Sequence, residues 1–310
     1  MHAIITLVER DFLYGAAVLY NSLVANGFDG VFIIGHRGEK DLPQELLGRM
    51  RSLPDSVPPI QWVKLDTPWH FTNYKAKFIS ETFERNPDLE SVTYFDPDIV
   101  VTCPWVWIHS WSAHGPAVCG DVNWMMPADH PTRHEWTHLL REIDRTVAHQ
   151  LDVYFNGGLL GLTRRDAGFA DLWHRLIETF GQRDNTLDGK GDIANLGRGG
   201  RWKSIQTPDQ DTLNMAAMAW PGEITTLGPD AMGFAGGWQL MPHALGSGKP
   251  WRRSFFREAL QANFPRVVDK VFWDQAEYPI EVFGLAKQKS RQRSIRWASL
   301  IGRFYRRGIV

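Results

Sequence analysis

Two carboxylates stand one residue apart in Tyr94-Phe95-Asp96-Pro97-Asp98, directly after an apolar run. In extended chain, residues i and i+2 point to one side. Two hard oxygen ligands at a strand end can therefore hold one Mg²⁺ or Mn²⁺, an ion that usually keeps substrate phosphate oxygens in its shell. The same Asp-Pro-Asp is also ordinary turn chemistry. A second group runs from His243 to Trp251 (HALGSGKPW). Its glycines let backbone N–H groups approach a phosphate, and Lys249 brings a point charge to it. His243 can complete a mixed nitrogen and carboxylate set, which suits Mn²⁺ better than Mg²⁺. The competing reading is a solvated loop with a surface lysine and a packed tryptophan. The spacing is not that of a Walker A loop.

A third group, Tyr154-Phe155-Asn156-Gly157-Gly158-Leu159-Leu160, puts an amide and two glycines inside an apolar run. Glycine there marks a bulge or a close approach by something else. Asn156 can both donate to and accept from a sugar hydroxyl. The fourth is Asp209-Gln210-Asp211, before Leu213-Asn214. Asp209 reads as a helix cap, while Gln210 and Asp211 can face a pocket.

These groups need elements to carry them. Apolar runs at His2 to Val8, Gly30 to Gly35, Ile60 to Leu65 and Ser91 to Val101 read as buried strands. Helical spacing fills the intervals: Tyr14 to Ala25, Asp41 to Leu53 and Asn73 to Arg85. Alternation of this kind predicts an α/β fold, a mostly parallel Rossmann-like sheet flanked by helices. Ligands then sit at the carboxyl ends of the strands. Further on, Pro116 to Val122, Tyr154 to Leu162 and Leu240 to Leu245 read as strands, and His134 to Gln150, Arg165 to Phe180 and Asp209 to Trp220 as helices. The polar, Gly-rich stretch from Gly181 to Trp202 reads as a surface loop that closes over bound ligand.

Composition narrows the classes. With 43% hydrophobic and 22% charged residues, a disordered or fibrous chain is excluded. A net charge of −1 argues against a polycation that coats nucleic acid. Two cysteines, Cys103 and Cys119, support neither a disulfide framework nor a zinc site, and are expected as reduced thiols in a cytoplasmic protein. The opening apolar stretch is too short and too poor in basic residues for a signal peptide.

Taken together and in order, the four groups resemble glycosyltransferase family 8. These are retaining GT-A enzymes that include glycogenins and bacterial lipopolysaccharide galactosyltransferases. Its members carry a DxD after an apolar strand, an FNxG strand, a DQ(D/G)xLN helix start and a final HxxGxxKPW. The likeness spans roughly residues 3 to 255. Pro97 stands where the family usually has Ala. The resemblance implies a UDP-sugar donor, a divalent metal and transfer with retained anomeric configuration to a glycan or glycolipid hydroxyl. It implies Asp96, Asp98 and His243 as metal ligands, with Asp96 also touching the donor. Lys249 and the Gly246 backbone fall on the diphosphate, Lys77 near the donor, Phe12 against uracil, and Thr6 among the nucleotide contacts. Asn156, Gln210 and Asp211 fall at the donor sugar and the reacting centre. Two other classes remain open: a sugar-1-phosphate nucleotidyltransferase, which would want a basic Gly-rich loop where this chain has Glu9-Arg10-Asp11-Phe12, and a non-catalytic sugar-binding protein of the same fold.

The tail differs from the body. Residues 287–310 hold eight Lys/Arg and no Asp/Glu, leaving 26 basic against 35 acidic groups elsewhere. The expected organisation is a catalytic domain over 1–265 and an extension over 266–310 ending in a basic amphipathic helix. Its stripe would be Ile295, Ala298, Ile301 and Phe304 or Tyr305, widened by Trp297 and Leu300. Such a helix is expected to rest on the anionic inner face of the membrane, with docking on the acidic body as the alternative. No nucleic-acid partner is expected.

Overall fold

The computed structural model describes residues 1–121, 126–181 and 204–306. Within them, strands β1 (His2–Val8), β2 (Val31–His36), β3 (Ile60–Lys64), β4 (Ser91–Phe95), β5 (Ala117–Cys119), β6 (Leu159–Thr163) and β7 (Thr225–Leu227) form one sheet. Its order is β3-β2-β1-β4-β6-β5-β7. β1, β2, β3 and β4 run parallel, β6 is antiparallel to β4 and β5, and β7 is parallel to β5.

Strand β1 shows why helices cover both faces. Its side chains alternate. Ile4 and Val8 enter one core layer, and Ala3, Ile5 and Leu7 enter the other. The first layer is covered by α1 (Phe12–Ala25), α2 (Gln44–Arg51), α4 (Trp105–Ser112), α8 (Phe255–Ala259), α9 (Val267–Asp274) and α10 (Leu285–Arg306). The second is covered by α3 (Phe71–Arg85), α5 (Pro131–Glu142), α6 (Gly168–Leu176) and α7 (Pro208–Ala219).

Several elements differ from the sequence expectation. β4 stops at Phe95 rather than continuing to Val101, because the chain turns at Asp96, where Ile99 N–H donates to the Asp96 carbonyl at 3.1 Å. Beyond the turn, residues 98–102 exchange backbone bonds with 240–244. Pro242 has no N–H to give, so the expected Leu240 to Leu245 strand is an irregular pairing with one bridge, Ile99 to His243. The expected strand from Tyr154 begins only at Leu159. Phe155 gives its N–H to Asn214 Oδ1 (2.8 Å), and its carbonyl accepts from Asn214 Nδ2 (3.0 Å). The expected loop at Gly181 to Trp202 lies outside the described residues, apart from its first residue.

The chain after 265, expected as an extension, packs against the rest of the fold. Val268, Phe272 and Trp273 of α9 and Ile295 and Ala298 of α10 are buried in the same core layer as β1 and α1. Asn21 of α1 stitches the two: Nδ2 donates to the Gln275 and Ile280 carbonyls at 2.8 Å, and Oδ1 accepts from Ile280 N–H at 2.9 Å. A chain cut near Leu285 would uncover this core.

Candidate active site

The Asp96–Asp98 turn sits at the carboxyl edge of β4, beside β1, where an α/β sheet offers its crevice. Three close approaches shape it. The Asp96 N–H donates to the Gly158 carbonyl at 2.8 Å. A Cβ on Gly15 of α1 would lie 2.3 Å from the Pro97 carbonyl oxygen, so α1 backs onto the turn where it has no side chain. A Cβ on Gly158 would lie 2.6 Å from His243 Cε1. The glycine in the third sequence group is therefore the floor under the histidine ring.

Imidazole and carboxylates meet there. His243 Nε2 lies 3.3 Å from Asp98 Oδ1 and 3.7 Å from Asp96 Oδ2. Three candidate ligand atoms fall within 4.8 Å of one another. His243 Nδ1 is buried without a partner, so the ring's polar contacts run through Nε2 toward the carboxylates. Among the described residues this is the one group of acidic, His or Cys side chains gathered closely enough to share an ion. Two carboxylates and one imidazole fit a divalent cation of the Mn²⁺ type.

Two lysines supply positive charge at the same place. Lys249 Nζ pairs with Asp98 and donates to the Ala244 carbonyl at 2.8 Å. Burial works against the charge on Asp98, but His243 and Lys249 outweigh it and hold the carboxyl well below its usual range. Lys75 Nζ lies 2.9 Å from Asp96 Oδ1, 3.0 Å from the Gly157 carbonyl and 3.4 Å from Asp209 Oδ2. Burial opposes its charge too, yet Asp96 and Asp209 raise its pKa above the ordinary lysine value. Tyr94 OH donates to Asp96 Oδ1 at 2.7 Å.

The cleft over this cluster holds about 510 Å³, within the usual range for a ligand site. Asn156 and Gln210 line it, both held by the backbone of Gly157-Gly158. Gln210 Oε1 accepts from Gly157 N–H at 2.9 Å, and Asn156 Oδ1 from Gly158 N–H at 2.9 Å. Asn156 Nδ2 donates to buried Asp121 at 2.6 Å, and Gln210 Nε2 reaches the same carboxylate at 3.4 Å. Asp121 carried no spacing signal. It stands alone in sequence after β5 and becomes the common anchor of both amides only in the fold.

No protein-family model matches the sequence, and no curated protein matches it. Among solved structures, the chain is similar to a WbbM bifunctional glycosyltransferase in its apo form, with a TM-score of 0.54 and 15% identity over 94% of this chain. The chain has a glycosyltransferase fold. It spans about half of that longer protein, 51% of its length, and at this identity the likeness carries the fold alone.

Within that fold, the expected site residues divide. Asp96, Asp98, His243, Asn156, Gln210, Phe12, Gly246 and Lys249 all line the one cleft. Phe12 has the Lys249 Nζ 5.6 Å and the Arg252 guanidinium 5.2 Å from its ring centroid. Gly246 has φ 74°, a left-handed turn that favours glycine. Three residues do not line it. Thr6 is fully buried inside β1, and Leu7, Glu9 and Phe12 line the cleft at that strand end instead. Lys77 lies on another side of α3, 5.8 Å from the Tyr74 ring, and Lys75 takes the place expected for it. Asp211 turns inward, accepting from Gln206 N–H, Thr207 N–H and Tyr154 OH at 2.6, 2.7 and 2.7 Å. Asp209 faces the cleft in its stead rather than capping α7, whose cap position is Thr207. Burial pushes the Asp209 carboxyl up to about 6, against the pull of Lys75.

The loop that carries Gly246 and Lys249 is strapped from behind. Arg266, at the start of α9, donates to the Leu245 carbonyl at 3.1 Å and to the Gly248 carbonyl.

Gly158→Ala tests the close approach directly. The added methyl must displace the His243 ring, and overpacking of this kind costs about 1–3 kcal/mol. Mn²⁺ affinity, read by isothermal titration, is expected to fall at least ~10-fold, because a ligand's orientation is worth that much. Unchanged affinity would mean that His243 is not a ligand.

Proposed function

We propose that this protein is a metal-dependent retaining glycosyltransferase of the family-8 type, moving a hexose from a UDP-sugar to a glycan or glycolipid hydroxyl. One observation carries the reading: Asp96, Asp98 and His243 converge, flanked by Lys75 and Lys249, in a cleft at the carboxyl edge of a glycosyltransferase-fold sheet. A divalent ion held by these three side chains would neutralise the diphosphate as it leaves.

The chain's own residues supply the rest. Lys249 and the backbone of Gly246-Ser247 bind the diphosphate oxygens, so the leaving group's growing charge meets fixed positive partners. Phe12 offers a flat face to the nucleobase. Asn156 and Gln210, both anchored on Asp121, hold the donor sugar in one orientation. The acceptor oxygen bonds to the anomeric carbon on the face from which the diphosphate departs. Its proton passes to the departing phosphate oxygen, and the configuration is retained. The Gln210 carbonyl dipole stabilises positive charge developing on the sugar.

Incubation with UDP-glucose, UDP-galactose and UDP-N-acetylglucosamine in Mn²⁺ is expected to release UDP from one of them, and excess chelator to stop it. No release together with no UDP binding in Mn²⁺ overturns the reading. Pyrophosphate release from UTP and a sugar 1-phosphate would assign the nucleotidyltransferase class instead.

A further inference from the structure

Exposed tryptophans gather at two places. On α10, Trp297, Leu300 and Phe304 stay exposed while Ile295 and Ala298 pack on the body, so the stripe expected on that helix is split. Among the described residues, no helix is long and apolar enough to cross a membrane. The second place joins the start of α4 to the loop that follows the short helical turn Pro229–Met232. Trp238 of that loop is 83% exposed, and Trp107 and Val106 of α4 are 40% and 68% exposed.

The loop is built to hold Trp238 outward. Gly233 (φ 72°) and Gln239 (φ 52°) are left-handed, and a non-glycine residue in that region persists only where its surroundings fix it. A Cβ on Gly237 would collide with the Asp230 carboxylate. Asp230 accepts the Trp238 N–H on Oδ2 at 3.2 Å and the Gln239 N–H on its carbonyl at 3.0 Å, and Thr102 Oγ1 donates to the Gln239 carbonyl at 2.7 Å. Both tryptophans line a cavity of about 320 Å³, together with Cys103, Pro104, Leu227 and Leu240. Asp230 is its one charged lining residue. The cavity is tied to the metal-ligand cluster by a single pair of segments. Val100 N–H donates to the Pro242 carbonyl at 3.0 Å and Thr102 N–H to the Leu240 carbonyl at 2.9 Å. Asp98 and His243 stand at one end of this pairing, Cys103 and Leu240 at the other. The five residues from Asp98 to Cys103 reach at most ~18 Å.

We propose that the Trp107–Trp238 cleft is a second carbohydrate site, a distal subsite that binds a neutral stretch of the acceptor glycan several sugar units back from the reacting hydroxyl. Its role toward the acceptor rests on the transferase reading; its binding of glycan does not. The lining selects the ligand class. Indole rings offer flat apolar faces to the C–H face of a sugar ring, and the Asp230 carboxylate accepts from a hydroxyl. No lysine or arginine lines the cleft, and Asp230 repels phosphate and carboxylate groups, so an anionic ligand is disfavoured. An apolar cleft with one convergent polar group is the usual form of a small-ligand site. A second copy of the chain fits less well. Even at ~250 Å² apiece, Trp107, Trp238 and Val106 bury less than the ~800 Å² that each partner brings to a stable interface. The separation from the metal-ligand cluster suits an oligosaccharide, which can occupy both places at once.

The test uses the full chain on a printed array of neutral oligosaccharides, without donor or metal, followed by isothermal titration of the strongest binder. Trp238→Ala should weaken that binding at least ~10-fold, as truncation of an aromatic anchor does. Trp238→Phe should stay within about threefold of the wild type, because a flat ring remains. UDP binding in Mn²⁺ should be unchanged in both variants. Trp238 is exposed, and near-ultraviolet circular dichroism checks that each variant is folded. No binding anywhere on the array, or equal binding by Trp238→Ala, overturns the proposal. A dimer seen by light scattering that Trp238→Ala dissolves, with no glycan bound, overturns it in favour of a second copy of the chain. Glycan binding is read without UDP and UDP binding without glycan, so this inference and the transferase reading can each fail alone.

Discussion

Asp98→Asn is expected to lower UDP-sugar turnover and Mn²⁺ affinity by on the order of 100-fold or more. Even groups that merely orient a metal ligand are worth 10- to 100-fold, and Asp98 is placed as a ligand itself. The change also has a structural cost. Asp98 is buried between His243 and Lys249, and an amide in its place removes the negative charge that offsets the buried Lys249 ammonium. Breaking a buried pair from one side costs about 3–5 kcal/mol. Denaturant unfolding should show that loss in Asp98→Asn. The double variant Asp98→Asn with Lys249→Gln should recover much of the stability and none of the metal affinity. Full turnover by Asp98→Asn, or by the wild type in excess chelator, would remove the metal from the mechanism.

The second large effect separates two lysines that stand two residues apart. Lys75→Met is expected to reduce turnover ~100-fold and stability by about 3–5 kcal/mol, because it leaves the Asp96 and Asp209 carboxylates facing each other in the cleft without their shared cation. Lys77→Met is expected to change turnover less than about twofold and stability by no more than ~0.5–1 kcal/mol, the worth of a partly exposed cation–π contact. Steady-state kinetics and urea unfolding of the two variants side by side decide the matter. Equal losses in both would put Lys77 back at the donor.

That contrast also shows where sequence reasoning reaches its limit. Successive residues on a helix are about 100° apart, so Lys75 and Lys77 point some 200° away from each other. A match by position along the chain selects the wrong one as readily as the right one. A signal was nevertheless available: Phe71, Phe78 and Ile79 fall at i−4, i+3 and i+4 from Lys75, all of them buried. A lysine inside an apolar stripe needs a carboxylate partner. Asp209 and Asp211 repeat the case in the first turn of α7, one facing the cleft and the other tied to the backbone at 206 and 207.

The sequence by itself determined the parts whose geometry is local. Alternating apolar runs and helical spacing specified the sheet and its two helical layers. Asp96 and Asp98 share a direction because they lie on one short turn, and Gly158 announced a close approach before its partner was known. The identity of that partner, His243, the anchoring of Asn156 and Gln210 on Asp121, the inward turn of Asp211 and the split of α10 into a packed side and an open side were decided only by tertiary structure. Each depends on the rotation of a helix or on segments 35 to 151 residues apart meeting at one strand edge, and no spacing within a single segment encodes either.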